Sequence, residues 1–249
     1  MYKLKSIFTS IIILIFFSNT AFSEKKWQRM SGKWVVENSS AIEKFGNTSF
    51  WGYYEILNLN SIQTLKPLDS YNIIDINSTL YDRLRTPSEF MISFAIRSES
   101  ESWFYHIYAL KFTGNYWGLN KVSFVFSDRI DKSKPFSTKN NVFIKELESA
   151  NCKIKYGKSY NYRITIEGEH IVLYINGEKI LFSQFPEKSH EGRVAISAKN
   201  VKIAIDKVLV KNNDKIIFED DFNENSIYVR TTNVKKQDTP KDKKETQPE

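Results

Sequence analysis

The chain has 249 residues, a formal net charge of +7 and a single cysteine, Cys152, which excludes an intramolecular disulfide. Two lysines lie in the first ten residues and the last 19 residues contribute +1, so residues 24–230 carry only +4. That region holds no dense run of Lys and Arg, and we therefore expect no nucleic-acid partner. Cys152 has charged neighbours but no histidine base, which favours a structural role over a catalytic one.

The first 23 residues have the anatomy of a cleavable secretory signal. A short basic start precedes an apolar run over residues 7–17, and Ala21 and Ser23 supply small side chains before the cleavage point. The apolar run is shorter than the ~20 residues that a membrane-spanning helix needs. We predict cleavage after Ser23, export to the periplasm or cell envelope, and no stable membrane span afterwards. An uncleaved N-terminal anchor is the alternative.

Most of the region that follows has the pattern of β-strands. Residues 32–37, 50–57 and 71–76 are rich in aromatic and β-branched side chains and are predicted as strands. Residues 90–97 alternate between apolar and smaller side chains, which is the period of a strand with one buried face. Residues 103–112 are apolar on both faces, as expected of a strand that is covered on both sides or lines a groove.

Helix signals are confined to one short segment. Ser78 and Thr79 could cap a helix through Leu84, and Pro87 would end it. The sequence therefore predicts a single short helix over residues 78–84.

Two tight hairpins are predicted within residues 160–182. Glu-Gly-Glu at 167–169 closes the first, and Asn176-Gly177 closes the second. Asn-Gly suits the left-handed backbone angles of a type I′ turn. Three further strands follow with the same alternation, over residues 192–198, 201–211 and 215–219. Many strands separated by polar turns favour an all-β fold, a two-sheet jelly roll or β-sandwich.

The chain ends in a segment of different composition. Residues 231–249 contain no aromatic residue and one aliphatic residue, Val234. Such a segment cannot bury enough apolar surface to offset the entropy lost on ordering. We predict a disordered, charged tail there and a single folded domain over residues 24–230.

Several segments carry a pattern that recurs in one superfamily. They are Trp27, SGKWVVE at 31–37, LYINGEKI at 173–180, EGRVAI at 191–196 and IAIDKVLV at 203–210. On these segments the chain resembles the concanavalin A-like lectin and glucanase jelly rolls, in the style of laminin-G-like modules. The resemblance implies the fold and says little about activity.

One literal match to the catalytic pattern of the glucanase branch occurs at Glu219, Asp221 and Glu224. In that branch Glu-x-Asp-x-x-Glu projects its carboxylates from a strand into the cleft, as nucleophile and acid/base, with apolar residues between them. Here Asp220 and Asn223 occupy the intervening positions, and the run lies beyond the last predicted strand. We therefore expect no catalytic residue in this run.

Metal and cofactor signals are weak. Asp206 with Asp220 or Asp221 could bind Ca²⁺, but a solvated acidic turn is the preferred interpretation. The three histidines are too scattered in sequence to indicate a zinc site: His106, His170 and His190. No glycine-rich phosphate loop and no G-x-S-x-G motif occurs. We expect no metal and no cofactor.

Aromatic residues are the unusual part of the composition, at 14% of the chain. Five phenylalanines are expected in the core: Phe50, Phe90, Phe94, Phe124 and Phe126. Tyr116 and Trp117 lie in a glycine-flanked loop with no strand partner, and we expect them to be exposed. Together with Trp103 and Tyr105 they form the candidate surface for binding a protein or a glycan.

The sequence thus predicts an exported, non-catalytic β-sandwich that acts through surface contacts. Its size, export signal, lack of disulfides and aromatic content also resemble the sheath proteins that coat periplasmic flagella. A structural or interaction subunit of a bacterial envelope or filament assembly is therefore the leading interpretation. The alternatives are a carbohydrate-binding, lectin-like module and a glycoside hydrolase of the glucanase superfamily.

Overall fold

In a computed structural model, the described part of the chain folds almost entirely into strands. The structure describes residues 24–44, 60–83, 87–100, 103–129, 142–186, 190–224 and 226–228, and these contain no helix. The strands of this part of the chain are β1 (Trp27–Arg29), β2 (Trp34–Glu37), β3 (Ser40–Glu43), β4 (Asn60–Thr64), β5 (Ile73–Arg83), β6 (Ser88–Ser100), β7 (Trp103–Asn115), β8 (Gly118–Arg129), β9 (Val142–Ile154), β10 (Lys158–Glu167), β11 (His170–Ile175), β12 (Glu178–Gln184), β13 (Arg193–Lys199), β14 (Val201–Asn212), β15 (Lys215–Asp220) and β16 (Ile227–Tyr228).

The strands form two large sheets. The first sheet has the order β16-β1-β4-β13-β6-β7-β8-β9, and the second has the order β12-β11-β10-β5-β14-β3-β2, with β15 paired to β14. Many neighbours in the sheets are distant in the chain, as where β5 lies between β10 and β14. Such crossovers between two packed sheets are typical of a jelly roll. The predicted all-β, two-sheet fold is confirmed.

One continuous hydrophobic core lies between the sheets. Phe90 and Phe112 of the first sheet stack with ring centroids 5.3 Å apart, and both meet Tyr162 of the second sheet edge-on. Each such ring pair contributes about 0.5–1.5 kcal/mol beyond the burial of its area. Of the predicted core phenylalanines, Phe90, Phe94 and Phe124 are fully buried, and Phe126 packs against the core. The fifth, Phe50, lies outside the described residues.

The alternation predicted over residues 90–97 holds as far as Phe94 and then breaks at a bulge. Ala95 has a φ of 49°, and the register of β6 against β7 shifts between Phe94 and Arg97. The Ala95 N–H donates a 2.7 Å hydrogen bond to the hydroxyl of Tyr71. Burial raises the pKa of Tyr71, so its hydroxyl keeps its proton at neutral pH. A buried side chain thus satisfies the backbone at the bulge.

The helix predicted over residues 78–84 is wrong, because β5 runs through this segment as far as Arg83. Ser78 is paired with Tyr160 of β10 on one side and with Ile205 of β14 on the other. As a central strand, β5 satisfies its backbone groups on both edges, so a local capping signal gives way to tertiary pairing. Leu84 lies outside the described residues.

Most other predicted strands are found where the sequence indicates them. The predicted strand at residues 32–37 contains β2, and the three strands predicted between residues 192 and 219 correspond to β13, β14 and β15. The predicted strand at residues 50–57 lies outside the described residues. Both hairpins of residues 160–182 are confirmed, with β10 and β11 joined at 168–169 and β11 and β12 joined at Asn176-Gly177.

The turn at Asn176-Gly177 allows a direct test of backbone strain. Asn176 has a φ of 51° and Gly177 a φ of 83°, the two left-handed positions of a type I′ turn. We expect Gly177→Val to lower the free energy of unfolding by about 1–2 kcal/mol, because a β-branched residue resists this region. A Cβ at Gly177 would meet no neighbour within 4 Å, so strain is the whole effect. Chemical denaturation measures the free energy of unfolding, and Gly177→Asn is the control because Asn tolerates this backbone region. Equal stability of the two variants would contradict the assigned turn.

Candidate functional site

Two aromatic side chains form the turn between β7 and β8. β7 ends at Asn115 and β8 begins at Gly118, so Tyr116 and Trp117 are the whole connection. Trp117 is 86% exposed and Tyr116 is 64% exposed, the two highest values among the large hydrophobic side chains that the structure describes. We call this pair the hairpin tip. Both rings are exposed, as expected from the sequence, and their role in binding stays a prediction.

Contacts with the adjacent turn and strand hold the hairpin tip in place. The backbone N–H of Trp117 donates a 3.1 Å hydrogen bond to Asn115 Oδ1. The hydroxyl of Tyr156 donates a 3.1 Å hydrogen bond to the backbone carbonyl of Asn115. Gly118 has a φ of 146°, and a Cβ there would lie 2.0 Å from the carbonyl oxygen of Ile154. Only glycine fits between the turn and the end of β9. The two rings therefore project from a fixed backbone, which reduces the ordering cost of binding.

Cys152 is a buried structural residue close to this turn. Its thiol forms no disulfide and donates a 3.7 Å hydrogen bond to the carbonyl oxygen of Leu119, the second residue of β8. Burial raises the pKa of the Cys152 thiol to about 12. The thiol is therefore protonated at neutral pH, and its burial agrees with the structural role predicted for it.

The four residues of the predicted contact surface do not lie at one place along β7. Trp103 begins the strand and Tyr105 follows within it, whereas the hairpin tip comes after its last residue. A strand of this length spans about 40 Å. The side chains of Trp103 and Tyr105 lie outside the described part of the chain, so the described surface consists of Tyr116 and Trp117.

The carboxylates of the glucanase-like match do not share one strand. β15 ends at Asp220, so Glu219 belongs to the strand, whereas Asp221 and Glu224 follow it in a loop. Glu219 is paired with Lys207 Nζ at 2.6 Å on the surface. A nucleophile and its acid/base partner must project into a common cleft. Asp221 and Glu224 line one surface pocket beside Asp220, whereas Glu219 lines a different one. The run also does not lie beyond the last strand, because β16 follows it.

Asp220 joins the two ends of the described chain. It is buried, and its Oδ2 accepts hydrogen bonds from Trp27 Nε1 at 2.8 Å and from Ser226 Oγ at 2.6 Å. Its Oδ1 accepts the backbone N–H of Phe222 at 3.1 Å. Both carboxylate oxygens are thus used within the protein, which explains why an acidic residue stands in this part of the sequence.

The described residues offer little for a metal ion or a membrane span. Asp206 accepts a 2.6 Å hydrogen bond from Ser40 Oγ, and no group of three or more His, Cys, Asp or Glu side chains in the described ranges is placed to hold a metal ion. His106 lies 3.6 Å from Asp128, whereas His170 stacks on Phe182. The described segments also include no helix with the length and apolar character to cross a bilayer.

Sequence reasoning missed a pocket on the outer face of the second sheet. The pocket has a volume of about 390 Å³ and is lined by side chains of β10 and β11 and by the following turn: Asn161, Arg163, Thr165, Tyr174 and Gly177. We call it the outer pocket. The alternation in β10 could have indicated it. Tyr162, Ile164 and Ile166 face the core, so the alternate residues of the strand point outward.

The neighbouring strand β5 holds the polar groups of the outer pocket. Arg163 donates from Nε and Nη2 to the two carboxylate oxygens of Asp75, at 2.7 and 3.0 Å. Asn161 Nδ2 donates to Asn77 Oδ1 at 2.7 Å. The hydrogen bond and charge of Asp75 raise the pKa of Arg163. Both polar side chains therefore have a defined orientation, as a binding site requires.

No protein-family model and no curated protein matches the chain. Carbohydrate binding module CBM66 from Bacillus subtilis is 12% identical, with a TM-score of 0.49 over 76% of this chain and 94% of the module. A β-1,3-1,4-glucanase (lichenase) derived from a mouse hindgut metagenome is 10% identical, with a TM-score of 0.47 over 75% and 93%. A Bacillus licheniformis β-glucanase is 11% identical, with a TM-score of 0.44 over 79% and 95%.

These findings correct two predictions. The leading interpretation, a structural subunit with a likeness to flagellar sheath proteins, is wrong, because the matched structures are a carbohydrate-binding module and glycan-acting enzymes. The expectation that the protein is not an enzyme is corrected by the same finding, since a lichenase and a glucanase are among the matches.

These three structures are at most 12% identical to the chain. The strand order described above, two packed sheets joined by crossovers, is typical of a jelly roll. The chain has the jelly-roll fold that its resemblance to the concanavalin A-like lectins and glucanases implies.

Proposed function

We propose that the protein binds glycans and contacts them through the hairpin tip. The observation that carries this proposal is the exposure of Trp117 and Tyr116 on a backbone that Gly118 fixes. A sugar ring has an apolar face that stacks on an aromatic ring, and a rim of hydroxyl groups that needs hydrogen-bond partners. Fixed, exposed rings supply the first requirement at a low entropic cost.

The surroundings of the hairpin tip supply the second requirement. Asn115, Asn120, Lys153 and Lys155 are all exposed beside or near the turn in sequence or across the sheet. Amide and ammonium groups donate hydrogen bonds to sugar hydroxyl groups, and amide oxygens accept them. An exposed aromatic pair among such groups therefore suits the apolar face and the hydroxyl rim of a sugar.

The N-terminal segment supports the setting of this function. Residues 1–23 have the pattern of a secretory signal, with small residues before the proposed cleavage point after Ser23. Export would bring the domain to cell-envelope or extracellular polysaccharides. We include this location in the proposal, with the mature chain starting at Glu24.

The proposal is tested with Trp117→Ala on a panel of insoluble polysaccharides: cellulose, xylan, chitin, β-glucan and peptidoglycan. We expect wild-type protein to be retained by at least one of them and the variant to bind it at least about tenfold more weakly, since a lost ring contact is worth about 0.5–1.5 kcal/mol besides its apolar area. The melting temperature should not change, because the side chain is 86% exposed.

Phe143→Ala is the matched control for this experiment. Phe143 is a 45% exposed aromatic residue of the same sheet, near the start of β9, whereas the hairpin tip contacts the end of that strand. Retention of Trp117→Ala equal to wild type would exclude the hairpin tip as the site. Reducing-sugar release is measured in the same samples, which determines whether binding is accompanied by cleavage.

A further inference from the structure

The outer pocket has the features of a sugar-binding site on a different sheet from the hairpin tip. We propose that it holds one neutral sugar residue of a glycan. This inference rests on the proposed function and adds a second contact point to it. The pocket belongs to β10, β11 and the turn before β12, whereas the hairpin tip joins β7 and β8 of the other sheet.

The charge of the pocket favours neutral hydroxyl groups over anions. Arg163 is 53% exposed, but its guanidinium is bound by both oxygens of the buried Asp75. The pair has no net charge, so it offers directed donors without a strong attraction for phosphate or sulfate. Asn161 adds an amide that is oriented by Asn77. Directed donors and acceptors of this kind match the hydroxyl groups of a sugar.

Thr165 provides an unpaired polar group within the same lining. Its Oγ1 is buried and has no hydrogen-bond partner among the described residues. A buried hydroxyl in this state costs stability on the order of 1–3 kcal/mol. Rotation of the Thr165 side chain about χ1 would turn this oxygen toward the pocket, where a sugar hydroxyl, which both donates and accepts, would satisfy it.

Tyr174 supplies an aromatic wall to the pocket. It is half-buried and is the cross-strand neighbour of Arg163 in the β10–β11 pair. A ring beside a guanidinium and an amide is the combination that an amphipathic sugar residue needs. The volume of about 390 Å³ is near the lower end of ligand pockets, which suits one sugar residue rather than a long chain.

The outer pocket and the hairpin tip lie toward the same end of the sandwich. Tyr156, which donates to the carbonyl of Asn115, belongs to the turn that leads into β10 at Lys158. The backbone N–H of Lys155 in that turn donates to the Tyr160 hydroxyl at 2.9 Å, and Asn161 of the pocket is the next residue. A polysaccharide that engages both sites gains affinity through avidity without new contacts.

The inference is tested by nuclear magnetic resonance titration with oligosaccharides of glucose, galactose and N-acetylglucosamine, two to six residues long. We expect the Gly177 amide and the Asn161 side-chain amide to shift on titration. Thr165→Val should lower the apparent affinity obtained from these shifts at least about tenfold. Its melting temperature should be equal to or higher than that of the wild type, because the substitution removes an unpaired buried hydroxyl. Tyr174→Ala should abolish the shifts, and Tyr174→Phe should retain them.

The Trp117 indole signal separates the two proposals. Shifts of Gly177 and Asn161 that persist in Trp117→Ala support an independent outer pocket. A shift of the Trp117 indole with Gly177 and Asn161 unmoved overturns the outer pocket and leaves the proposed function standing. No shift at either place with any of these sugars overturns both. Shifts of Gly177 with inorganic phosphate or sulfate, and none with sugars, overturn the assignment to a neutral sugar.

Discussion

Replacement of Trp27 by alanine is expected to lower the free energy of unfolding by about 3–5 kcal/mol, the cost of emptying a fully buried Trp site. Trp27 is 0% exposed, and its ring stacks on Phe222 with centroids 5.9 Å apart and meets Phe218 edge-on at 5.2 Å. The substitution also removes the indole N–H that Asp220 accepts at 2.8 Å. A buried carboxylate that loses one donor adds to the cost of the cavity.

The position of Trp27 in the fold explains why this loss is not local. β1 pairs with β4 on one side and, in parallel, with β16 near the other end of the described chain. Opening the site therefore loosens β1, β15 and β16 together. Thermal denaturation should show a decrease in the melting temperature of about 6–20 °C for a domain of this size.

Trp27→Phe is the control, because it keeps most of the aromatic area and removes the N–H donor. We expect it to lower the free energy of unfolding clearly less than Trp27→Ala does. Trp117→Ala is a second control, since the same substitution at an exposed tryptophan should be neutral. A free energy of unfolding for Trp27→Ala within about 1 kcal/mol of wild type would contradict the docking of β1 in the core.

Local signals predicted the parts of the fold that local chemistry decides. The Asn176-Gly177 turn follows from the backbone angles that the two residues accept, and its strands follow from a period of two. The exposure of Trp117 follows from a two-residue turn between glycines, where a large ring has no cross-strand neighbour. In each case the deciding interaction lies within a few residues of the chain.

Long-range pairing decided what the sequence did not predict. Ser78 belongs to a central strand because β10 and β14 flank it, and a cap-like Ser-Thr pair carries no trace of those partners. The outer pocket depends on Arg163 and Asp75, which are 88 residues apart and meet only through the register of β5 with β10. Register is set by the whole sheet, so no local pattern in either strand indicates the pair.

Gly118→Ala is expected to be the most damaging small change at the candidate site. A Cβ at this position would lie 2.0 Å from the carbonyl oxygen of Ile154, and the φ of 146° belongs to a region that other residues rarely adopt. Backbone strain of this kind costs about 1–3 kcal/mol, and the clash with backbone atoms adds to it. We expect a loss of about 3 kcal/mol or more in the free energy of unfolding, measured by chemical denaturation.

Gly157→Ala is the matched control, because Gly157 also has a positive φ, of 76°, yet a Cβ there would meet nothing within 4 Å. It should cost only the strain of its backbone angle, about 1 kcal/mol. The difference between the two variants isolates the contact of the hairpin tip with β9. Equal stability of the two would contradict that contact.

The same variant tests whether the position of the rings matters for binding. Gly118→Ala keeps Tyr116 and Trp117 but must move the turn away from Ile154, so the rings lose their fixed orientation. If preorganisation contributes to glycan binding, the folded fraction of the variant should be retained on polysaccharide more weakly than Gly157→Ala, even though no ring is removed. Wild-type retention by folded Gly118→Ala would show that exposure of the rings suffices and that their rigid support does not contribute. Because both aromatic residues are unchanged, this comparison separates the chemistry of the rings from their placement, which Trp117→Ala alone cannot do.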